Sequence, residues 1–207
     1  NVRKMNNKKN EVILVEGYID VISLQRFGIP NIISNQGTAL TDNQMDLIWR
    51  FFKNLMICFD GDKGGRDAAL RSAERLFPFL KAEHSINFLF LPNDFDPDSF
   101  INKNGRDAFI KLTENKMAIY DFIWDCYYRD IDTNNPASFA SFEKKIRLLC
   151  KQVIDEHLSK YFLEYFTKKL TSLTPFLNLK RDKYTVYKKI SSPLSETKKT
   201  YRKKDKF

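Results

Sequence analysis

A chain of 207 residues with 43% hydrophobic residues can form one ordinary domain and a small second one. Its three cysteines, Cys58, Cys126 and Cys150, form no Cys-x-x-Cys pair, which argues against zinc and a disulfide framework and fits a reducing cytoplasm. The net charge of +9 is uneven: residues 178–207 carry +8, and no apolar run reaches the roughly 18 residues of a membrane span.

Residues 1–10 are polar and basic, the expected end of a preceding subdomain or a linker. No signal peptide is visible, and because the chain starts at Asn1 and not at Met, inside this polar, basic stretch, it is expected to be a piece of something longer. EVILV at 11–15 predicts a strand, and the spacing of Ile19, Ile22 and Leu24 predicts a helix over 18–27. Glu16 then falls in the strand-to-helix turn. Asp20 lies one helical turn later, where it can point back to Glu16 or simply stabilise the helix N-terminus.

A second strand is predicted at 31–34 and a helix at 42–52, capped by Thr41. Residues 55–59 (LMICF) are apolar throughout and predict a strand buried on both faces. It runs into Asp60–Gly61–Asp62, where Gly61 is expected to allow a sharp turn. Two carboxylates this close repel each other unless a cation lies between them, and Mg²⁺ suits such oxygen donors. Lys63, Gly64, Gly65 and Arg66 lead into a helix expected from about Asp67 to Phe79, whose glycines permit close approach of a phosphate.

INFLFL at 86–91 predicts another buried strand, followed by Asp96–Pro97–Asp98. Pro97 could hold the two carboxylates pre-oriented; alternatively Asp96 and Pro97 are a helix cap and first helical residue. From Gly105 the period changes. Helices are expected at 106–113, through the aromatic-rich 118–130, at 136–153 and at 157–173, the last three as a bundle. His84 and His157 are isolated.

Strands alternating with helices predict an α/β fold with a parallel sheet flanked by helices, followed by a C-terminal helical bundle. Parallel strands end on one side. Glu16, Asp60, Asp62, Asp96 and Asp98 therefore converge on one sheet edge, and this convergence argues for a metal site more strongly than any single motif.

Taken together, EGYID at 16–20, GTALT at 37–41, FDGD at 59–62, GRDAA at 65–69, LP at 91–92 and DPD at 96–98 resemble the bacterial-type DNA primases and their toprim metal-binding fold. The resemblance covers about residues 11–177. It implies a toprim domain at 11–115, a helical bundle at 116–177 and a basic flexible tail at 178–207. Gly64, Asn35–Gln36 and residues 93–95 depart from the family pattern without touching the carboxylates.

The resemblance implies a nucleotidyltransferase that makes short RNA primers on a single-stranded DNA template from ribonucleoside triphosphates. It implies two divalent ions, Mg²⁺ or Mn²⁺, held by Glu16, Asp60 and Asp62, then Asp96 and Asp98, with Asp20 weaker. Glu16 could instead be a general base. Lys63 and Arg66 would neutralise triphosphate charge. Zinc is not expected in this stretch, because the family's zinc domain lies upstream. The replicative helicase would be met through a C-terminal domain that is absent here. The implied location is the cytoplasm, at the replication fork, with no membrane. Two other readings are a toprim nuclease or topoisomerase using the same metals, and a non-catalytic module that binds nucleic acid or a partner.

Overall fold

A computed structural model describes residues 10–35, 40–61, 63–92, 94–132 and 134–173. The elements run β1 (Glu11–Val15), α1 (Tyr18–Arg26), β2 (Ile32–Ser34), α2 (Asp42–Phe51), β3 (Asn54–Phe59) and α3 (Lys63–Leu76), then β4 (Ser85–Phe90) and α4 (Pro97–Thr113). They continue with β5 (Met117–Ala118), α5 (Ile119–Arg129), α6 (Pro136–Lys151) and α7 (Glu156–Leu173). The chain divides into two compact units, Asn1–Tyr165 and Phe166–Phe207; of the second, only the end of α7 is described. The basic tail at 178–207 lies outside the described residues.

The sheet order is β2-β1-β3-β4-β5. The first four strands are parallel, as their apolar runs predict, and β5 adds an antiparallel edge. Side-chain alternation sends Ile13, Val15, Met56, Cys58, Leu89 and Leu91 to one face, where α1 and α4 cover them through Leu24, Ile101 and Phe109. The opposite face carries Leu14, Ile57 and Phe88. There α3 contributes Leu76, and α5 lays Phe122 on Phe88 with ring centroids 5.2 Å apart. So α5 is a sheet-covering helix as well as the first helix of the expected bundle. The first turns of α7 meet it through Tyr120 and Phe162, 5.6 Å apart.

Three local differences have physical causes. The helix expected from Asp67 already begins at Lys63 and takes in both glycines. The helix expected at 106–113 begins at Pro97, because Asp96 caps it. Gly105 kinks that helix with φ 80°, a left-handed value that costs a glycine little. The two-residue strand β5 is too short to leave a periodic signal.

The start of α7 offers a test of the helix framework. Asp155 accepts the Leu158 N–H at 3.0 Å and, across the chain, the Ala82 N–H at 3.3 Å. These bonds hold its carboxyl below its ordinary value of 3.8. A depressed carboxylate stabilises the fold above that value, and the contribution is lost as pH falls through the folded pKa. Asp155→Ala should lower the urea midpoint at pH 7, and its difference from wild type should shrink below pH 3.8. A difference independent of pH would remove the charged cap from the account.

Candidate functional site

The direction of the chain reverses between β1 and β3, which are neighbours in the sheet: β2 lies outside one of them and β4 outside the other. Open α/β sheets leave a crevice at such a point, beyond the strands' C-terminal ends. Glu16 directly follows β1 and Asp60 directly follows β3. The register Leu14↔Ile57 puts Glu16 level with Phe59, one residue short of Asp60. Both carboxylates line a cleft of about 750 Å³ whose floor includes Leu14 and Ile57.

Gly61 holds this edge together. Its N–H donates to the Phe95 carbonyl at 3.1 Å, and the Leu91 N–H donates to the Phe59 carbonyl at 3.1 Å. A Cβ at position 61 would lie 1.9 Å from the Pro92 carbonyl oxygen. Its φ is not among the positive values. The expected sharp turn is therefore not the reason for glycine here; the reason is close backbone approach.

The sequence-predicted acids occupy three environments. Glu16 and Asp60 line the cleft. Asp20 and Asp98 lie on the seam between α1 and α4. There one Asp20 oxygen accepts the Gly17 N–H at 3.0 Å and the other accepts the Asp98 N–H at 3.2 Å. The Ser23 hydroxyl donates to the Asp98 carboxylate, and Asn102 donates to the same oxygen at 2.8 Å. Asp96 caps α4, its Oδ1 accepting the Ser99 N–H at 2.7 Å. Asp62 and the side chain of Lys63 lie outside the described residues. Arg66 sits over the Phe90 ring, 5.2 Å from its centroid, and is not on the cleft wall.

The seam is electrostatically tied to the edge. Burial raises the Asp20 carboxyl above 3.8, the charges of Asp96 and Asp98 push the same way, and the two N–H donors oppose them. Beneath it, burial raises the Cys58 thiol, with Asp60 and Asp20 adding repulsion. Cys58 is thus a protonated, buried apolar group and no nucleophile. Ser23 is 7% exposed and bridges the two helices. Ser23→Ala should cost about 1.5–3 kcal/mol in urea unfolding, the range for a hydrogen bond to a charged acceptor. An unchanged midpoint would mean that Asn102 alone holds Asp98.

Sequence reasoning missed Ser23 and Asn102, whose partners lie 75 and 4 residues away. It also missed Arg71 and Arg75, which line the cleft with Gly64 and Ala68 of α3. Positions 64, 68, 71 and 75 form one helical stripe, and that spacing was the available signal.

The donor set at this edge is carboxylate, which suits Mg²⁺ or Mn²⁺. Among the described residues no three His, Cys, Asp or Glu side chains come close enough to enclose an ion. Two carboxylates, Glu16 and Asp60, fit an open site in which water and substrate phosphates complete the shell, the usual arrangement for Mg²⁺.

Residues 13–101 match the Toprim-like family model, a span that includes all six candidate carboxylates. The chain is 34% identical over 163 residues to a DNA primase of Rickettsia felis, covering 79% of this chain and 27% of that protein. The DNA primase of Escherichia coli K12 is 33% identical over 165 residues, covering 80% and 28%. The fold superposes on a DnaG catalytic core with a TM-score of 0.76 at 31% identity, covering 85% of this chain and 56% of that one. The chain belongs to the bacterial DNA primase family. It spans about a quarter of the length of its curated primase relatives and about half of the solved primase core. Within the primase fold, its described part holds the toprim-type sheet and the helices that follow.

Proposed function

We infer that this chain is part of the catalytic core of a primase, which makes short RNA primers on single-stranded DNA from ribonucleoside triphosphates. The observation that carries this is the meeting of Glu16 and Asp60 on neighbouring parallel strands at the sheet's switch point, in a chain of the primase family. A related DnaG catalytic domain, with a TM-score of 0.74 at 30% identity, is known bound to single-stranded DNA, which supports a template of that kind.

In this reading Glu16, Asp60 and Asp62 hold the divalent ions, Mg²⁺ or Mn²⁺ and two in number. Ions held there would supply Lewis-acid activation of a hydroxyl nucleophile and charge neutralisation at a leaving pyrophosphate. The chain's own residues do the positioning. Gly61 brings the 60–61 backbone against Pro92, and Asp96 sets the start of α4. Asp20 spans from Gly17 to Asp98 and fixes the turn that carries Glu16. Asp96 and Asp98 contribute negative field to the edge, and their carboxylates serve the cap and the seam. Lys63 and Arg66 remain proposed phosphate partners, although the stacking of Arg66 on Phe90 favours Arg71 and Arg75 for that role. The reaction belongs to the cytoplasm at the replication fork, with helicase contact through polypeptide that the longer relatives carry.

The test is a priming assay with single-stranded DNA, labelled ribonucleotides and Mg²⁺ or Mn²⁺. It is run with the 207-residue chain, alone and joined to the polypeptide that the relatives carry beyond it. Short RNA products on a denaturing gel support the reading. Cleavage of supercoiled plasmid with no primer in either form would overturn it in favour of a toprim nuclease.

A further inference from the structure

The cleft is electrically two-ended. Glu16 and Asp60 stand at its rim, and Arg71 and Arg75 stand along the α3 wall. Both arginines are exposed, and neither makes an ion pair or hydrogen bond with a described residue. They are four residues apart and so lie on one face, about 5–6 Å from each other at their Cβ atoms. Helical side chains lean toward the helix N-terminus, and for α3 that end is Lys63, beside Asp60. The two side chains therefore lean in the direction of the carboxylate rim. Between rim and wall the floor is apolar, built from Leu14, Leu40, Ile57 and Leu76.

We propose that Arg71 and Arg75 bind the phosphates of a nucleoside triphosphate in this cleft, with the base or sugar against the apolar floor. This deepens the primase reading and rests on it for the role of Glu16 and Asp60. Two features select a nucleotide over a strand. A volume of about 750 Å³ is that of a small-molecule site, which typically measures some 300–1,000 Å³. The floor is also walled by α3 on one side and bordered by Asn35 on the other. Guanidinium groups suit the ligand because their fork matches phosphate oxygens bidentately. The arrangement separates two tasks. The carboxylates need a cation before they can meet a phosphate, whereas the arginines attract phosphate without one.

That separation supplies a test free of catalysis. ATP binding to the full 207-residue chain is measured by calorimetry in EDTA. R71Q/R75Q should lower affinity about tenfold or more, the loss of two charge-assisted contacts. Asp60→Asn should raise it about threefold by removing a repelling charge. K144Q, an exposed lysine on α6, should leave it unchanged, and melting temperatures should match wild type throughout. Wild-type affinity in R71Q/R75Q, an equal loss in K144Q, or no ATP binding by the wild-type chain would each overturn the proposal. If oligothymidylate and not ATP loses affinity in R71Q/R75Q, the wall belongs to a strand and the nucleotide assignment falls. Loss in R71Q/R75Q with no response to Asp60→Asn would support the arginine site and count instead against the carboxylate rim.

Discussion

Asp60→Asn is expected to abolish metal-dependent primer synthesis, by at least two to three orders of magnitude, while the chain stays folded. The scale is roughly that of removing one preorganised electrostatic group from a reacting centre. Asp60 follows a strand buried along Leu55, Met56, Ile57 and Cys58, and that strand sets its position at the sheet edge. Asparagine keeps the shape and removes the charge. Removing one of the like charges gathered at this edge relieves carboxylate repulsion. The melting temperature should therefore hold or rise slightly. The measurement pairs a gel-resolved priming assay with thermal unfolding of the same preparation. Full synthesis by a normally folded Asp60→Asn would remove Asp60 from the metal-binding set.

Gly61→Ala should do the opposite, damaging the fold at the edge and the activity with it. An added Cβ would lie 1.9 Å from the Pro92 oxygen, 2.5 Å from its carbonyl carbon and 2.7 Å from the Leu91 oxygen. All three are backbone atoms, and no side-chain rotation relieves the contact. The loop at 91–92 would have to move away from residues 60–61. That movement would break the Gly61 to Phe95 bond and shift Asp60 from its neighbours. A forced core insertion of this kind costs on the order of 3 kcal/mol. In a domain of this size that is a melting-temperature drop of roughly 6–12 °C. Gly61→Ala with wild-type stability would show that the two loops separate freely, and the close approach would then have no structural role.

The two variants separate charge from shape at adjacent positions. The first removes a carboxylate and spares the backbone. The second spares the carboxylate and displaces the backbone under it. A joint loss of stability in both would point to Asp60 as a structural residue.

The strands and most helices were legible from the sequence because burial leaves a short-range trace. The apolar runs at Glu11–Val15, Asn54–Phe59 and Ser85–Phe90 are strands buried on both faces, and alternation with helices made them parallel. Strand direction alone then carried Glu16 and Asp60 to one edge. Motif order also placed the chain near the primases, since glycines and carboxylates recur there at set distances.

What lay beyond reach involved partners distant in sequence. That Asp96 caps α4 was one of two readings the sequence left open, and the Ser99 N–H donating to its Oδ1 shows the cap. Asp20 and Asp98 join through a seam 78 residues long in sequence, visible only once α1 and α4 share a face. The need for glycine at position 61 comes from Pro92, on the neighbouring strand's exit, and no local rule of turns contains it. Arg71 and Arg75 belong to no motif, and only the packing of α3 on the sheet puts them beside a cleft. Local periodicity reports which way a side chain faces; only packing between distant segments determines what it faces.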